Sequence, residues 1–411
     1  MASPVNPPRG MRDLLPAEKA KRERALAVIR DVYRGHGFDE IEAPALEDVE
    51  RLHAGIGGDN EKLAFSVLRR GLQADDLREA AGLGDVLALA DLGLRYDLTV
   101  PLARYYASNQ ADLPPVFRAL QIGPVWRAER PQRGRYRQFV QCDIDVLGEA
   151  GPIAELELIA ATTEALAALG LTGTTVRIND RRILNRLLAA WGIDGAAAPR
   201  ALVTIDKLDK IGVAGVVGEL AEQGVPTRGL DEAFAVLAEA GWDLLVDPPA
   251  WLDADAYRDL LALRDALPGV DLRFDPTLVR GMGYYTGTIF EVAHPSSPGS
   301  LAGGGRYDGM IGRFLGREVP AVGFSIGFER IMDLLPGANV EGGAVALLHD
   351  ADVPAPVLLA AKAEARASAP RVRLERARRN RKGQLDSLAA EGFTAFATVT
   401  ADGLGDLRPL S

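Results

Sequence analysis

"GPVWRAERPQRGRYRQFVQCDIDVLG", residues 123–148, contains two runs that read as strands, joined by an arginine-rich loop. "VWRAE" and "RYRQFVQCDIDVLG" form an expected antiparallel hairpin. Side chains alternate along a strand. Phe139, Gln141, Asp143 and Asp145 therefore share one face, and Val140, Cys142, Ile144 and Val146 share the other. The second set is expected to pack under helices. On the first strand Arg127 and Glu129 share a face. If the two polar faces coincide, one sheet surface presents Arg, Glu, Phe, Gln and Asp together. A guanidinium suits phosphate, a phenyl ring can stack on a base, and Gln and Asp can read an amine or an imidazole N–H. A solvated sheet face would show the same alternation, so the hairpin alone does not decide the function.

The bulk of the chain sets bounds on that hairpin. With 411 residues, two or three domains are expected at roughly 100–200 residues each. A net charge of -10 argues against a general polyanion binder, while a local basic loop leaves RNA open. The single cysteine, Cys142, excludes a disulfide scaffold and fits a reducing compartment, hence a cytoplasmic location. The opening residues carry no apolar signal-type run, and no apolar stretch reaches about 18 residues. Neither a signal peptide nor a membrane span is expected. His36, His53, His294 and His349 are scattered without metal-ligand spacing, so no protein metal site is expected.

Outward from the hairpin the pattern is mixed. Pro16 opens a helix carrying Leu26, Ile29, Val32 and Tyr33 at helical spacing. "FDEIEAPALE" reads as an edge or interface strand interrupted by Pro44, and residues 54–91 as a poorly patterned region. "LRYDLTVP" places Asp97 and Thr99 on one strand face, as an ammonium-binding pair. The stretch from about 180 to 270 is mostly helical and reads as an insertion between two strand-rich halves. "LVRGMGYYTGTIFEVAH" reads as a strand, with Arg280 beside flexible glycines and two tyrosines. "AGGGRYDGM" reads as a glycine loop able to approach a ligand, though without the Lys and Ser or Thr of a P-loop. "GFSIGFERI" reads as a strand entering a helix, with Arg330 in an early turn. "PGANVEGG", 336–343, is an expected linker. Residues 344–411 alternate strand and helix patterns, as a small α/β domain would.

These segments together closely resemble the histidyl-tRNA synthetase family, class II aminoacyl-tRNA synthetases. "PPRGMRDLLP" with Pro44 resembles that family's first motif, "GPVWRAERPQRGRYRQFVQCDIDVLG" its second and "VGFSIGFERI" its third. "LVRGMGYYTGTIFE" and "GGGRYDGM" resemble its two histidine-specific signatures. "YDLTVPLARY", "NDRRILN" and "IDKLDK" also match, and the resemblance spans about residues 8 to 335. It implies an α+β fold, with an antiparallel sheet, flanking helices and a helical insertion in a catalytic domain over 1–335. It also implies activation of L-histidine with ATP and Mg2+, transfer of histidine to tRNA, and a homodimer.

The resemblance assigns residues as well. Arg127 binds the α-phosphate and Glu129 reads the adenine amino group. Phe139 and Arg330 sandwich the adenine. Asp97, Thr99 and Gln141 hold the ammonium. Asp145 and Tyr285 read the imidazole nitrogens, with Tyr284 nearby. Arg280 is the catalytic cation, and Arg130, Arg133 and Arg135 meet the tRNA acceptor end.

The chain departs from the family's pattern in two places. Gly283 stands where the signature carries an acidic residue. The C-terminal domain resembles the family's anticodon-binding domain but is shorter, and its "RVRLERARRNRKG" is either a tRNA contact or a solvated helix entry. Two alternatives follow. One is a regulatory subunit of ATP phosphoribosyltransferase, which usually lacks the anticodon domain and often loses the ATP and tRNA residues, whereas Arg127, Glu129, Phe139, Arg280, Arg330 and a C-terminal domain are present here. The other is a histidine-activating enzyme with another acceptor.

Overall fold

The computed structural model describes residues 5–56, 63–131, 134–195, 197–280, 283–336 and 343–410. The chain divides into two compact units with the boundary after Pro336. The first unit begins α1 (Pro16–Gly35), β1 (Asp39–Glu40), β2 (Leu46–Asp48), α2 (Val49–Ile56), β3 (Phe65–Leu68), α3 (Ala74–Leu83), β4 (Ala90–Leu94), α4 (Thr99–Asn109). It continues β5 (Phe117–Trp126), β6 (Gln138–Leu147), α5 (Ile153–Ala168), β7 (Thr175–Asp180). The helical stretch is α6 (Arg181–Ala190), α7 (Ala197–Ile205), α8 (Leu208–Glu222), α9 (Leu230–Ala238), α10 (Ala254–Ala266). The unit closes with β8 (Leu272–Phe274), β9 (Thr288–Ala293), β10 (Ala302–Arg306), α11 (Asp308–Leu315), β11 (Ala321–Gly327), α12 (Phe328–Leu334).

Among the described residues, eight strands form the main sheet in the order β1-β5-β6-β11-β10-β9-β7-β8. The pairs from β5 through β7 are antiparallel, and β1 with β5 and β7 with β8 are parallel. The architecture is α+β. One face of the sheet is apolar. Cys142, Ile144 and Val146 of β6 lie in one buried cluster with Ile29 and Tyr33 of α1 and Leu158 and Ile159 of α5. Each such Leu or Ile contributes about 1.5–3 kcal/mol when fully buried, so this layer anchors the sheet. α1 starts at Pro16 with Glu18 in its first turn, both suited to a helix N-terminus.

Several expected elements change type. "FDEIEAPALE" splits at Pro44 into β1, which edges the main sheet, and β2, which joins a three-stranded sheet in the order β2-β4-β3. Residues 54–91, expected to be poorly patterned, include β3, α3 and part of β4. Asp97 and Thr99 are not on a strand: β4 ends at Leu94, and Thr99 is the first residue of α4. Asp97 instead accepts from the Val100 amide at 3.1 Å, as an acceptor at a helix start does. Arg127 and Glu129 lie past the end of β5: the Arg127 amide still bonds the Arg137 carbonyl, but the Arg137 amide turns to the Gly10 carbonyl, and the ladder ends there. Arg280, Tyr284 and Tyr285 precede β9, which begins only at Thr288.

The helices α6 to α10 run between β7 and the parallel β8. α6 is capped by Asp180, which accepts from the Arg182 amide at 2.8 Å, and α10 by Asp253, which accepts from Ala256 at 3.0 Å. Leu202, Val216, Leu220 and Phe234 of α7 to α9 share a cluster with Leu278, Val279 and Ile289, whereas Ala256, Tyr257, Leu260 and Leu263 of α10 join the core beneath the main sheet.

The second unit contains β12 (Ala344–His349), α13 (Ala355–Arg366), β13 (Arg371–Arg376), α14 (Arg381–Ala390), β14 (Ala395–Thr400), β15 (Gly403–Leu404), β16 (Arg408–Pro409). Its parallel strands run β13-β12-β14, with β15 and β16 antiparallel to β14. Most of the expected linker, 337–342, lies outside the described residues.

Candidate active site

The polar face of the main sheet is organised in rows across the strands. Gln121, Asp143, Ser325, Gly303, Glu291 and Arg177 are successive register partners from β5 to β7. The next row toward the C-terminal end of β6 runs Asp145, Gly323, Gly305. These glycines are bare for a reason. A Cβ at Gly303 would lie 2.4 Å from the Arg280 guanidinium carbon, one at Gly305 2.9 Å from the Tyr285 ring, and one at Gly323 2.0 Å from an Asp145 carboxylate oxygen. The run "AGGG" is therefore strand β10, not the expected glycine loop. Side chains from elsewhere lie flat on its backbone.

Above this floor is a cleft of about 670 Å³, within the range of small-molecule sites. It is lined by Asp97, Thr99, Arg127, Glu129, Arg135, Phe139, Gln141, Asp145, Arg280, Tyr284, Tyr285 and Arg330, among others. Every expected ATP and histidine residue thus reaches one cavity. Arg130 is exposed and does not line it, and Arg133 lies outside the described residues. At about 3.3 Å per residue, Phe139 and Asp145 stand roughly 20 Å apart along β6, one near each end of the cleft.

Near Phe139 the site is cationic. The Arg127 guanidinium stacks 5.1 Å from the Phe139 ring and 4.3 Å from that of Tyr96, and its Nε donates to the Tyr96 carbonyl at 3.1 Å. Arg330 donates to the Ser300 carbonyl at 2.5 Å and to its hydroxyl at 3.0 Å. Burial, then repulsion from Arg135, lowers its pKa, so an anion there would be welcome. Arg135 reaches Glu129 at 3.4 Å.

An N-terminal strap backs this loop. The Gly10 carbonyl accepts from the Arg137 amide at 2.7 Å, and Arg137 Nε donates to the Glu129 carbonyl at 3.1 Å. Gly10 holds φ of 81°, and a Cβ there would lie 2.8 Å from Arg137, so only glycine fits. Arg12 lies 4.2 Å over the Tyr136 ring and bonds Glu329 at 2.6 Å; Arg22 grips the same carboxylate at 2.6 and 2.7 Å. Glu329 in turn accepts from the Val140 amide at 3.3 Å. Residues 10–12 so brace the loop that carries Arg127 and Glu129.

At the other end the site is acidic. Tyr307 donates to Asp145 at 2.5 Å, and burial pushes the Asp145 carboxyl up to about 7. The Tyr284 and Tyr285 rings lie 4.9 Å apart, tilted by 58°, and Tyr284 meets Tyr307 edge-on at 5.9 Å. Burial raises all three hydroxyls, so they act as neutral hydrogen-bonding groups. Between the two ends Arg280 bonds Glu291 at 2.5 Å. Burial opposes its charge, but Glu291, Tyr285 and Asp206 together outweigh burial and raise its pKa. Two buried acceptors, Asp97 Oδ2 and Gln141 Oε1, have no partner among the described residues. Buried acceptors are normally satisfied, so these two mark a place for a donor.

Sequence reasoning missed Tyr307, Glu291 and Ser325. Tyr307 and Ser325 lay inside recognised segments, but no spacing reveals that a tyrosine on one strand's end meets a carboxylate on another. Glu291 did alternate onto the polar face of its strand.

A central antiparallel sheet flooring such a cleft, with arginines brought over it by loops, is the architecture of the class II aminoacyl-tRNA synthetases. The family model for histidyl-tRNA synthetase matches residues 10–331. A histidine–tRNA ligase from Leifsonia xyli subsp. xyli is 59% identical, with 100% of each chain covered. A crystal structure of histidyl-tRNA synthetase from Nostoc sp. PCC 7120 superposes with a TM-score of 0.76 at 26% identity, covering 98% of this chain and 93% of that one. A Bacillus halodurans structure described as an ATP phosphoribosyltransferase regulatory subunit/histidyl-tRNA synthetase has a TM-score of 0.75 at 22% identity, over 97% and 98% of the two chains, and shows the fold alone. The chain belongs to the histidyl-tRNA synthetase family. The full-length 59% match to a ligase disfavours a non-charging paralogue.

Proposed function

We infer that this protein ligates histidine to tRNA in two steps within the cleft. The L-histidine carboxylate attacks the α-phosphate of ATP to give histidyl-adenylate and pyrophosphate, and a ribose hydroxyl of the 3'-terminal adenosine of histidine tRNA then takes the histidyl group, releasing AMP. One observation carries this reading: a single cleft is cationic by Phe139, acidic by Asp145, and holds Arg280 between them. ATP lies with its adenine between Phe139 and Arg330, its amino group toward Glu129 and its α-phosphate at Arg127. Asp97, Thr99 and Gln141 take the ammonium, while Asp145 and Tyr285 read the imidazole, with Tyr284 packed beside them.

In-line attack of a carboxylate on phosphorus needs positioning and stabilisation of charge on phosphate oxygens rather than covalent help. Arg127 and Arg280 supply both. Leaving buried polar groups unpaired penalises a side chain other than imidazole. Among the described residues no group of three or more His, Cys, Asp or Glu side chains could hold a metal. Magnesium enters with the nucleotide as MgATP and neutralises its phosphates through ATP oxygens and water. Arg130, Arg133 and Arg135 meet the acceptor end, and the unit after Pro336 approaches the anticodon. The protein works as a cytoplasmic homodimer. Support comes from the first-motif resemblance and from exposed Leu68, Leu83 and Val86 in and near the three-stranded sheet. No helix of the described residues is long and apolar enough to cross a membrane.

The test is histidine-dependent pyrophosphate–ATP exchange, followed by charging of histidine tRNA. Exchange with histidine and with no other amino acid is the expected result. Folded protein that gives no exchange would overturn the reading.

A further inference from the structure

Asp143 sits at the centre of the polar row, between Gln121 on β5 and Ser325 on β11. It is buried, it lines the cleft, and neither substrate reading uses it. The Gln141 amide shows what it does. Gln141 Nε2 donates to Ser325 Oγ at 2.9 Å and faces both Asp143 oxygens at 3.5 Å, leaving Gln141 Oε1 without a partner among the described residues. A carboxyl oxygen facing an amide accepts from its NH2 end, so Asp143 draws that end toward itself and turns the Gln141 oxygen away. Asp97 is arranged in parallel: Oδ1 takes the Val100 amide and Oδ2 is left over.

We propose that Asp143 is a positioning residue for the substrate amino group: it turns Gln141 so that the amide oxygen and Asp97 Oδ2 face one ammonium, and it supplies negative charge behind them. The inference rests on the assignment of Asp97 and Gln141 to the ammonium made above.

The charges around Asp143 favour a cation. Asp97 and Asp145 lie near it on the cleft side. The two arginines that face it, Arg95 and Arg127, are engaged with backbone carbonyls, Arg95 with Pro124 and Ala43 at 2.8 Å each and Arg127 with Tyr96 at 3.1 Å. The remaining titratable neighbours, Cys142 and Tyr33, are buried and neutral. Burial first, then Asp145 and Asp97, push the Asp143 carboxyl well above the usual range, against the Ser325 hydrogen bond and Arg127. A positive ammonium held by Asp97 and Gln141 pulls the other way and favours the charged carboxylate.

The experiment compares wild type, Asp143→Asn and Asp97→Asn in pyrophosphate exchange. Asp143→Asn is expected to raise the KM for histidine on the order of tenfold or more and leave the KM for ATP unchanged. Inhibition by 3-(imidazol-4-yl)propionate, which lacks the amino group, should be the same in wild type and variant. A histidine KM within twofold of wild type, or equal loss of affinity for the deamino analogue, overturns the role. If Asp97→Asn leaves histidine KM unchanged, the ammonium assignment itself falls; if Asp97→Asn raises it and Asp143→Asn does not, only the present inference falls. Should Asp143→Asn not fold, Ser325→Ala removes the other acceptor holding the Gln141 amide. It should raise histidine KM several-fold, and no change would likewise overturn the role.

Discussion

Asp145 accepts the Tyr307 hydroxyl at 2.5 Å on the bare backbone of Gly323, and its carboxyl titrates far from where an exposed aspartate does. Burial raises it to about 7, with Asp97 adding to the shift and Tyr307 opposing it. An unfolded aspartate titrates near about 3.9. Between those two values the folded protein holds a proton that the unfolded chain has lost, so stability falls as pH rises through this window. The contribution is fully present below about 4 and gone above about 7, and at about 1.4 kcal/mol per unit it reaches a few kcal/mol at most. Asp145→Asn should abolish that slope. Urea melts at pH 5 and pH 8 should show wild type losing about 2–4 kcal/mol more than the variant across the interval. The same variant should activate histidine poorly, because Asn offers no charge to an imidazole N–H. Parallel pH profiles would mean that other groups govern the slope.

At the scale of elements, strand alternation was the most legible feature. Phe139, Gln141, Asp143 and Asp145 line the cleft, and Cys142, Ile144 and Val146 pack beneath, because a buried face imposes a period of two. Strand ends were less legible. Arg127, Glu129, Asp97 and Thr99 continued an alternating pattern past the point where backbone pairing stops, and sequence does not show where a ladder loses its partner. Strand β10 was illegible for the opposite reason. Three glycines carry no side-chain signal, and what makes them a strand is what lies on both faces. A Cβ at Gly303 meets the movable tip of Arg280, whereas one at Gly304 meets the Gly323 carbonyl oxygen at 1.9 Å, which cannot yield. Gly303→Ala should therefore fold with a melting temperature within a few degrees of wild type. Its exchange rate should fall about a hundredfold as Arg280 is displaced. Gly304→Ala should be destabilised by several kcal/mol, as overpacking against fixed backbone is. Thermal melts and exchange rates on both variants check this contrast, and equal effects would contradict it.

For the whole molecule, the division of labour follows from two separate cores. The second unit buries Val345, Leu347, Ala361 and Val399 on one face of its sheet and Ala344, Leu348, Leu388 and Phe393 on the other. Its basic stretch divides in two. Arg371 and Arg373 stack 4.6 and 4.5 Å from the Phe393 ring, and Arg373 also pairs with Glu391 at 2.7 Å, so these two are structural. Arg376, Arg378 and Arg379 are exposed at the end of β13 and beyond it, where a phosphate backbone could release counterions from them. Replacing those three by glutamate should leave histidine-dependent exchange unchanged, since the cleft lies wholly in the first unit. It should lower kcat/KM for tRNA in charging at least about tenfold, because each lost phosphate contact removes part of a salt-sensitive attraction. The loss should narrow as salt rises, since wild-type binding weakens while the variant has less left to lose. Charging that keeps its wild-type efficiency and salt slope would leave the stretch as a solvated helix entry and move tRNA recognition by this unit to another surface.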